Sequence, residues 1–350
     1  VQFCKGIEYW SRVLAIVTLL GFWSAVPPFA RADTNIVWSD EFNGATLDTN
    51  KWIYEIGNGI NGWGEGELEY YSSSPQNVYV TNGFLHLVAQ RQNTNGFSYT
   101  SGKIMTQGLF YKAYGRFDFR AKLPPGAGLW PAFWMLSQNS PYGGEPNDGE
   151  IDVMESLGNH TDRVTGTIHY GGQNGQDIQT GQTYIFPAGQ VTTDFHVYSL
   201  NWQSNKFQWL IDGILYENVT NWYANIGTSS AKYPYPAPFD TPFFIILQVA
   251  VGGGYTGIFN TNTINASLPA EMVVDYVRVY DVTPPLKITA VATNGGLSLS
   301  WPTNIACRLQ SQTNSPGLSA ATNWFDVPGA TNPQLVVPSQ GGAFFRLVSP

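Results

Sequence analysis

An all-β fold, a curved antiparallel β-sandwich of jelly-roll type followed by a second, smaller β-sandwich, is what three observations predict for this 350-residue chain. Charged residues make up only 12% and aromatic residues reach 15%. Such a chain has the apolar surface to bury a large core, which excludes disorder. The best helix formers are scarce, while Thr, Val, Tyr and Trp, which suit a pleated surface, are common. Short apolar/polar alternations recur throughout, separated by Gly, Asn, Pro and Ser, which is the pattern of many half-buried strands joined by turns.

The elements follow in order. Residues 1–32 read as a secretory signal peptide. Lys5 and Arg12 flank its start, Val13 to Val26 is an apolar run, and Ala30-Arg31-Ala32 supplies the small-residue cleavage pattern. The run falls short of the ~20 residues that a bilayer-spanning helix needs. A secreted protein, extracellular or periplasmic, is therefore expected, with no membrane association after cleavage. Cleavage removes Cys4 and leaves Cys307 alone, so no intramolecular disulfide is expected.

Residues 33–281 form the expected large domain. Its alternation is clearest in Phe84-Leu85-His86-Leu87-Val88-Ala89, in Gly115-Arg116-Phe117-Asp118-Phe119-Arg120, and from Val273 to Tyr280. The pattern breaks at a linker, 282–285, that contains Pro284-Pro285. Residues 286–350 carry few charges and show strand-like stretches at Leu297 to Trp301, Arg308 to Ser311 and Phe344 to Leu347. They are expected to form the small β-sandwich, with Trp301 and Trp324 as core anchors.

The formal net charge is −8, and cleavage would leave 14 basic and 24 acidic residues. No Lys/Arg run is present, which argues against a nucleic-acid partner, since phosphate binding needs clustered cations. A neutral ligand and a monomeric protein are expected. No redox or nucleotide cofactor motif is visible.

Gly149-Glu150-Ile151-Asp152-Val153-Met154-Glu155-Ser156 places three carboxylates within six residues of a strand-like segment. Glu150 and Asp152, two apart, share a face; Glu155 falls on the other face of a regular strand. A β-bulge at Val153-Met154 would bring it back, and bulges are favoured beside active sites. Ideal strand spacing still separates the Cα atoms of Glu150 and Glu155 by roughly 13 Å. Only a curved sheet with both side chains leaning inward would reach the ~5–5.5 Å of retaining glycoside hydrolysis. Taken alone, a solvated acidic strand face is the commoner explanation of such a run, so the surroundings must decide. Trp130 and Trp134 lie just upstream, four apart on one strand face, where indoles suit the apolar faces of sugars; Phe133 and Met135 point the other way, into the expected core. A second cluster, Asn61-Gly62-Trp63-Gly64-Glu65-Gly66-Glu67-Leu68-Glu69-Tyr70-Tyr71, mixes aromatic and polar groups that suit sugar hydroxyls. His169 sits on the next expected strand, where a structural role competes with one in the cleft.

These stretches resemble glycoside hydrolase family 16, in its bacterial laminarinase-type branch. The likeness runs in order from Val37 to Asp281. It takes in Trp38-Ser39-Asp40-Glu41-Phe42, Glu67 to Tyr71, Tyr99 to Ile104, Tyr114 to Pro124, Trp130 to Leu136, Glu150 to Glu155 and His169-Tyr170. It continues through Asp194 to Trp202, Trp209 to Gly213 and Val273 to Tyr280. The resemblance implies Glu150 as nucleophile, Glu155 as general acid/base, Asp152 as their helper, and Asn61, Trp63, Trp130, Trp134 and His169 as substrate contacts. The implied activity is a retaining, endo-acting β-1,3- or mixed-linkage glucanase, with a neutral β-glucan polysaccharide as substrate. The resemblance also implies a structural Ca2+ at Glu41, Gly83 and Asp275; a simple contact of Asp275 with a backbone amide or Arg278 is the competing reading. The chain departs from the laminarinase pattern at Gly66, Glu69, Gly102-Lys103 and Gln248, where Asn, Gln, Ala-Arg and Asn are usual. An agarase- or porphyranase-like galactan hydrolase is the nearest alternative, and a non-catalytic carbohydrate-binding protein is a further one.

Overall fold

The computed structural model describes residues 35–281, 288–294, 296–301, 307–314, 324–336 and 342–348. The expected leader, 1–32, and the linker, 282–285, lie outside the described residues. Two sheets dominate, antiparallel except where Glu69–Tyr71 pairs parallel with Phe97–Ser101. The seven-stranded sheet runs, edge to edge, Asp177–Ile185, Arg163–Gly171, Glu150–Glu155, Leu129–Ser137, Phe243–Val251, Lys103–Met105 and Ile53–Tyr54. The ten-stranded sheet is centred on Ala270–Asp281, which pairs with Gly115–Lys122, Phe84–Thr94 and Asn35–Asp40.

The alternation in the sequence explains how the sheets face each other. Phe117, Phe119 and Ala121, every second residue of Gly115–Lys122, are fully buried. Phe133 and Met135 do the same from the opposing sheet, and Phe119 stacks on Phe133 with centroids 4.9 Å apart. Each such ring removes enough apolar area from water to stabilise the fold by about 1.5–3 kcal/mol. The aromatic content is spent here: Trp52, Trp202, Trp209, Tyr71, Tyr99, Tyr198, Phe207, Phe239 and Phe243 are also fully buried.

Trp209 reaches across this core to the acidic strand, where its Nε1–H donates to the Asp152 carbonyl at 2.9 Å. Gly166 on the neighbouring strand makes room for it. A Cβ there would stand 2.5 Å from Trp209 Cδ1 and 2.7 Å from the Tyr216 hydroxyl.

Beyond the linker, two three-stranded sheets are described. Gly296–Ser300 pairs with Thr289–Thr293 and Gln334–Val336; Arg308–Asn314 pairs with Gly342–Val348 and Phe325–Asp326. The expected strands are present, but the anchors differ. Leu299 and Leu309 are buried, whereas Trp301 and Trp324 are half-buried, and the Arg346 guanidinium lies over the Trp324 ring at 4.5 Å. A small sheet has too little depth to enclose an indole, so aliphatic side chains take the interior.

Candidate active site

The face of the seven-stranded sheet turned away from the core carries the acids. Along Leu129–Ser137, Trp130, Ala132, Trp134 and Leu136 lie opposite in phase to the core residues Phe133 and Met135. Trp130, Ala132 and Ala250, with Trp134 and Tyr255 against them, form an apolar cluster separate from the main core. Solvent does not flood this face: Asp152 is 2% exposed, Glu155 8% and Trp130 9%. It is a recessed surface.

The acidic strand is bulged. Asp152 pairs with Trp134, but Met154 pairs with Phe133 and Glu155 with Ala132, so the register slips between Asp152 and Met154. The same slip occurs against the strand on the other side, between Asp152 (opposite Thr167) and Glu155 (opposite Thr165). Val153 and Met154 are both buried in the core, and Glu155 thereby returns to the face of Glu150 and Asp152.

His169 stands directly across from Glu150. Its Nε2 lies 3.1 Å from Asp152 Oδ2, and its Nδ1 is 3.0 Å from Asp177 Oδ2. Burial opposes a charge on this ring, but the Asp152 and Glu150 carboxylates and the Asp177 contact outweigh it and raise its pKa to about 10. His169 is therefore a cation at neutral pH. Desolvation, and after it the Asp152 charge, push Glu150 and Glu155 well above the ordinary carboxylate range; the His169 charge pulls both back. Trp130 Nε1–H donates to Glu155 Oε1 at 3.0 Å, and the Trp130 ring stacks on Tyr255 with centroids 5.1 Å apart. The arrangement can hold one ionised and one protonated carboxyl on one face of the sheet, with the Asp152–His169 ion pair between the two charge states.

Trp63 and Trp134 meet at Lys103. Its ammonium lies 4.4 Å from the Trp63 ring centroid and 5.0 Å from that of Trp134. Trp63 comes from a tight loop, where Asn61 (φ 52°) and Trp63 (φ 57°) both adopt left-handed backbone. The loop is pinned by Asn58, whose Nδ2 donates to the carbonyls of Glu67 and Glu69 at 2.9 and 2.7 Å. Asn61 itself is exposed, and it is Asn58 that does the anchoring.

Sequence reasoning missed Tyr255, Lys103 and Asp177 as members of this site. Tyr255 could have been suspected as an aromatic residue carried by Gly252-Gly253-Gly254; Lys103 was marked only by standing where Arg is usual, and Asp177 is an ordinary charged strand residue with no local signal.

Glu41, Gly83 and Asp275 lie elsewhere. The Glu41 carboxylate accepts two hydrogen bonds from Arg278, at 2.9 and 2.7 Å, and this contact lowers its pKa. Asp275 is engaged by Arg120 rather than by Arg278, and Gly83 occupies a left-handed turn at φ 80°. Carboxylate and carbonyl oxygens are the donors a hard cation takes, but here both carboxylates are already neutralised by guanidinium groups. Among the described residues, the one set of three convergent ligand side chains is Glu150, Asp152 and His169, whose ligand atoms lie within 4.8 Å of one another.

Residues 67–265 match the model of glycosyl hydrolases family 16. Glucan endo-1,3-beta-glucosidase A1 of Niallia circulans is 47% identical over 268 residues, covering 72% of this chain and 38% of that protein's length. The beta-glucanase of Rhodothermus marinus is 40% identical over 250 residues, covering 70% of this chain and 84% of that protein. The X-ray structure of the laminarinase from Rhodothermus marinus superposes with a TM-score of 0.63 at 38% identity, over 72% of this chain and 98% of that one. With the bulged acidic strand lying inside the matched region, the chain belongs to glycoside hydrolase family 16.

Proposed function

We propose that this protein is a secreted, endo-acting, retaining hydrolase of β-1,3-glucan. The observation that carries the reading is the bulge that returns Glu155 to the face of Glu150 and Asp152, on a recessed surface lined by Trp130, Trp134 and Tyr255. The relatives named above, two glucanases and a laminarinase, favour β-1,3-glucan as the substrate class.

In this mechanism Glu150 attacks the anomeric carbon while protonated Glu155 donates to the departing glycosidic oxygen, and a glycosyl ester forms on Glu150. Glu155, now ionised, takes a proton from water. The resulting hydroxide adds to the anomeric carbon and releases Glu150, so both carboxyls return to their starting states. The Asp152–His169 pair serves both steps: Asp152 disfavours a second negative charge beside it, and the His169 cation keeps Glu150 ionisable. Trp130 Nε1–H favours the ionised form of Glu155 that the second step requires.

Digestion of laminarin, mixed-linkage glucan, agarose and carrageenan tests the substrate. Laminarin should yield a ladder of oligosaccharides, with the anomeric configuration retained in the first product seen by NMR. Activity on agarose with none on laminarin would overturn the substrate class and leave the two-carboxylate mechanism standing.

A structural Ca2+ at Glu41, Gly83 and Asp275 belongs to the proposal in one form: binding displaces Arg120 from Asp275 and Arg278 from Glu41. Excess calcium should then raise the melting temperature by mass action, and Arg120→Gln should enlarge the rise. A melting temperature indifferent to calcium and chelator in both proteins would remove the site.

A further inference from the structure

Lys103 is the one lysine or arginine that is buried among the described residues, at 2% exposure. Removing an ammonium from water is costly unless it is compensated. The compensation here is unusual in kind. One carboxylate, Glu55, lies 3.3 Å from Nζ, Glu145 also feels its charge, and three rings lie around it: Trp63 at 4.4 Å, Trp134 at 5.0 Å and Tyr71 at 5.5 Å from their ring centroids. The three rings come from separate places in the chain. Trp134 lies on the same sheet, two strands from Lys103 through Phe243–Val251. Trp63 belongs to the left-handed loop, and Tyr71 ends the strand that follows it.

A second observation is that ring contacts, not hydrogen bonds, hold these indoles. The Nε1–H groups of both Trp63 and Trp134 are buried and make no hydrogen bond within the chain. Trp130, Trp209 and Trp222, by contrast, each donate to a protein oxygen at 2.9 to 3.0 Å. The core indole of Trp202 is unpaired in the same way, so the two indoles at Lys103 are distinguished by their half-buried ring faces rather than by their N–H groups.

We propose that Lys103 is the positioning residue of the substrate platform. Its ammonium holds the loop indole, Trp63, and the sheet indole, Trp134, in one fixed relation, with their faces ready for a neutral glucosyl unit. Lys103 does not touch the reacting atoms. Its removal should weaken substrate binding and leave the chemical step alone. This inference rests on the glucanase reading above.

The test is kinetics on laminarin oligosaccharides. Lys103→Met should raise KM about tenfold, the scale of two lost cation–π contacts, with kcat within about twofold of wild type. Lys103→Arg keeps a cation over the rings and should hold KM within about threefold. An unchanged KM in Lys103→Met, or a fall confined to kcat, would overturn the proposal; so would a folded Lys103→Arg protein with the defect of Lys103→Met. Should Lys103→Met fail to fold, Glu55→Gln decides instead. It frees the ammonium from its ion-pair partner while keeping the rings, and should raise KM but not kcat; an unchanged KM there overturns the idea. Wild-type protein inactive on laminarin would count against the functional reading alone, and the same ratios would then be taken on the glycan it does hydrolyse.

Discussion

Glu155 lies under Trp130 and beside Asp152, while Glu150 faces His169 across the strand pair. Both carboxyls are pushed up by burial and by Asp152, which favours the protonated form that Glu155 needs as an acid. Replacing Glu150 by Gln should abolish hydrolysis, with at least a thousandfold loss of kcat, and leave the circular dichroism spectrum unchanged. Turnover near wild type would refute its role as nucleophile. His169 allows a sharper test. Its cation lowers both carboxyls, so in His169→Gln both should titrate at higher pH. The acid limb of the kcat/KM profile follows ionisation of Glu150 and the alkaline limb follows loss of the Glu155 proton; both limbs should therefore move up together. A profile that merely narrows, or one that moves down, would contradict this electrostatic balance.

Glu69 shows the same physics away from the chemistry. It is fully buried, its Oε2 accepts the Val251 amide at 2.6 Å, and burial, followed by the Glu67 charge, raises its pKa well above the ordinary value of 4.5. A protonated carboxyl resembles the amide of the Gln that is usual at this position in laminarinases. The linkage has a definite sign. The unfolded chain releases this proton near pH 4.5 and the folded protein retains it, so Glu69 costs stability progressively as pH rises above 4.5. Glu69→Gln should therefore melt higher than wild type at pH 8 and show a smaller gain at pH 5. Equal differences at the two pH values would place the effect in packing instead.

At the scale of elements, the acidic strand depends on its neighbours. Trp209 fills the space over Gly166 and holds the Asp152 carbonyl just where the register slips. Gly166→Ala would push a methyl into that indole, and overpacking of this kind destabilises by about 1–3 kcal/mol. The measured loss in urea unfolding should be accompanied by a fall in kcat, because the displaced indole supports the bulge. A fully stable variant would show that Trp209 has room to retreat. The bulge itself was legible as a need, since three acids in this spacing share a face only with an extra residue. That it is formed by sending both Val153 and Met154 into the core was not legible, because the outcome depends on the holes which the opposing sheet presents.

For the whole molecule, the Pro284-Pro285 break in the sequence and the small sheets described beyond it motivate a test of independence. Truncation after Asp281 should leave hydrolysis of soluble laminarin within about twofold of the full chain, as expected where few contacts cross a domain boundary. Complete loss of activity in a folded truncated protein would refute that independence. The sequence by itself determined the strand-rich class, the phase of each strand and the acidic triplet, because alternation is a local property with a period of two. Only the tertiary structure decided which side chains meet. Lys103 beneath Trp63 and Trp134, Tyr255 against Trp130, Asp177 beside His169 and Arg120 on Asp275 all join segments whose proximity is set by sheet order and register. No residue carries a local mark of its partner across a sheet, so contacts of this kind come into being only when the strands align.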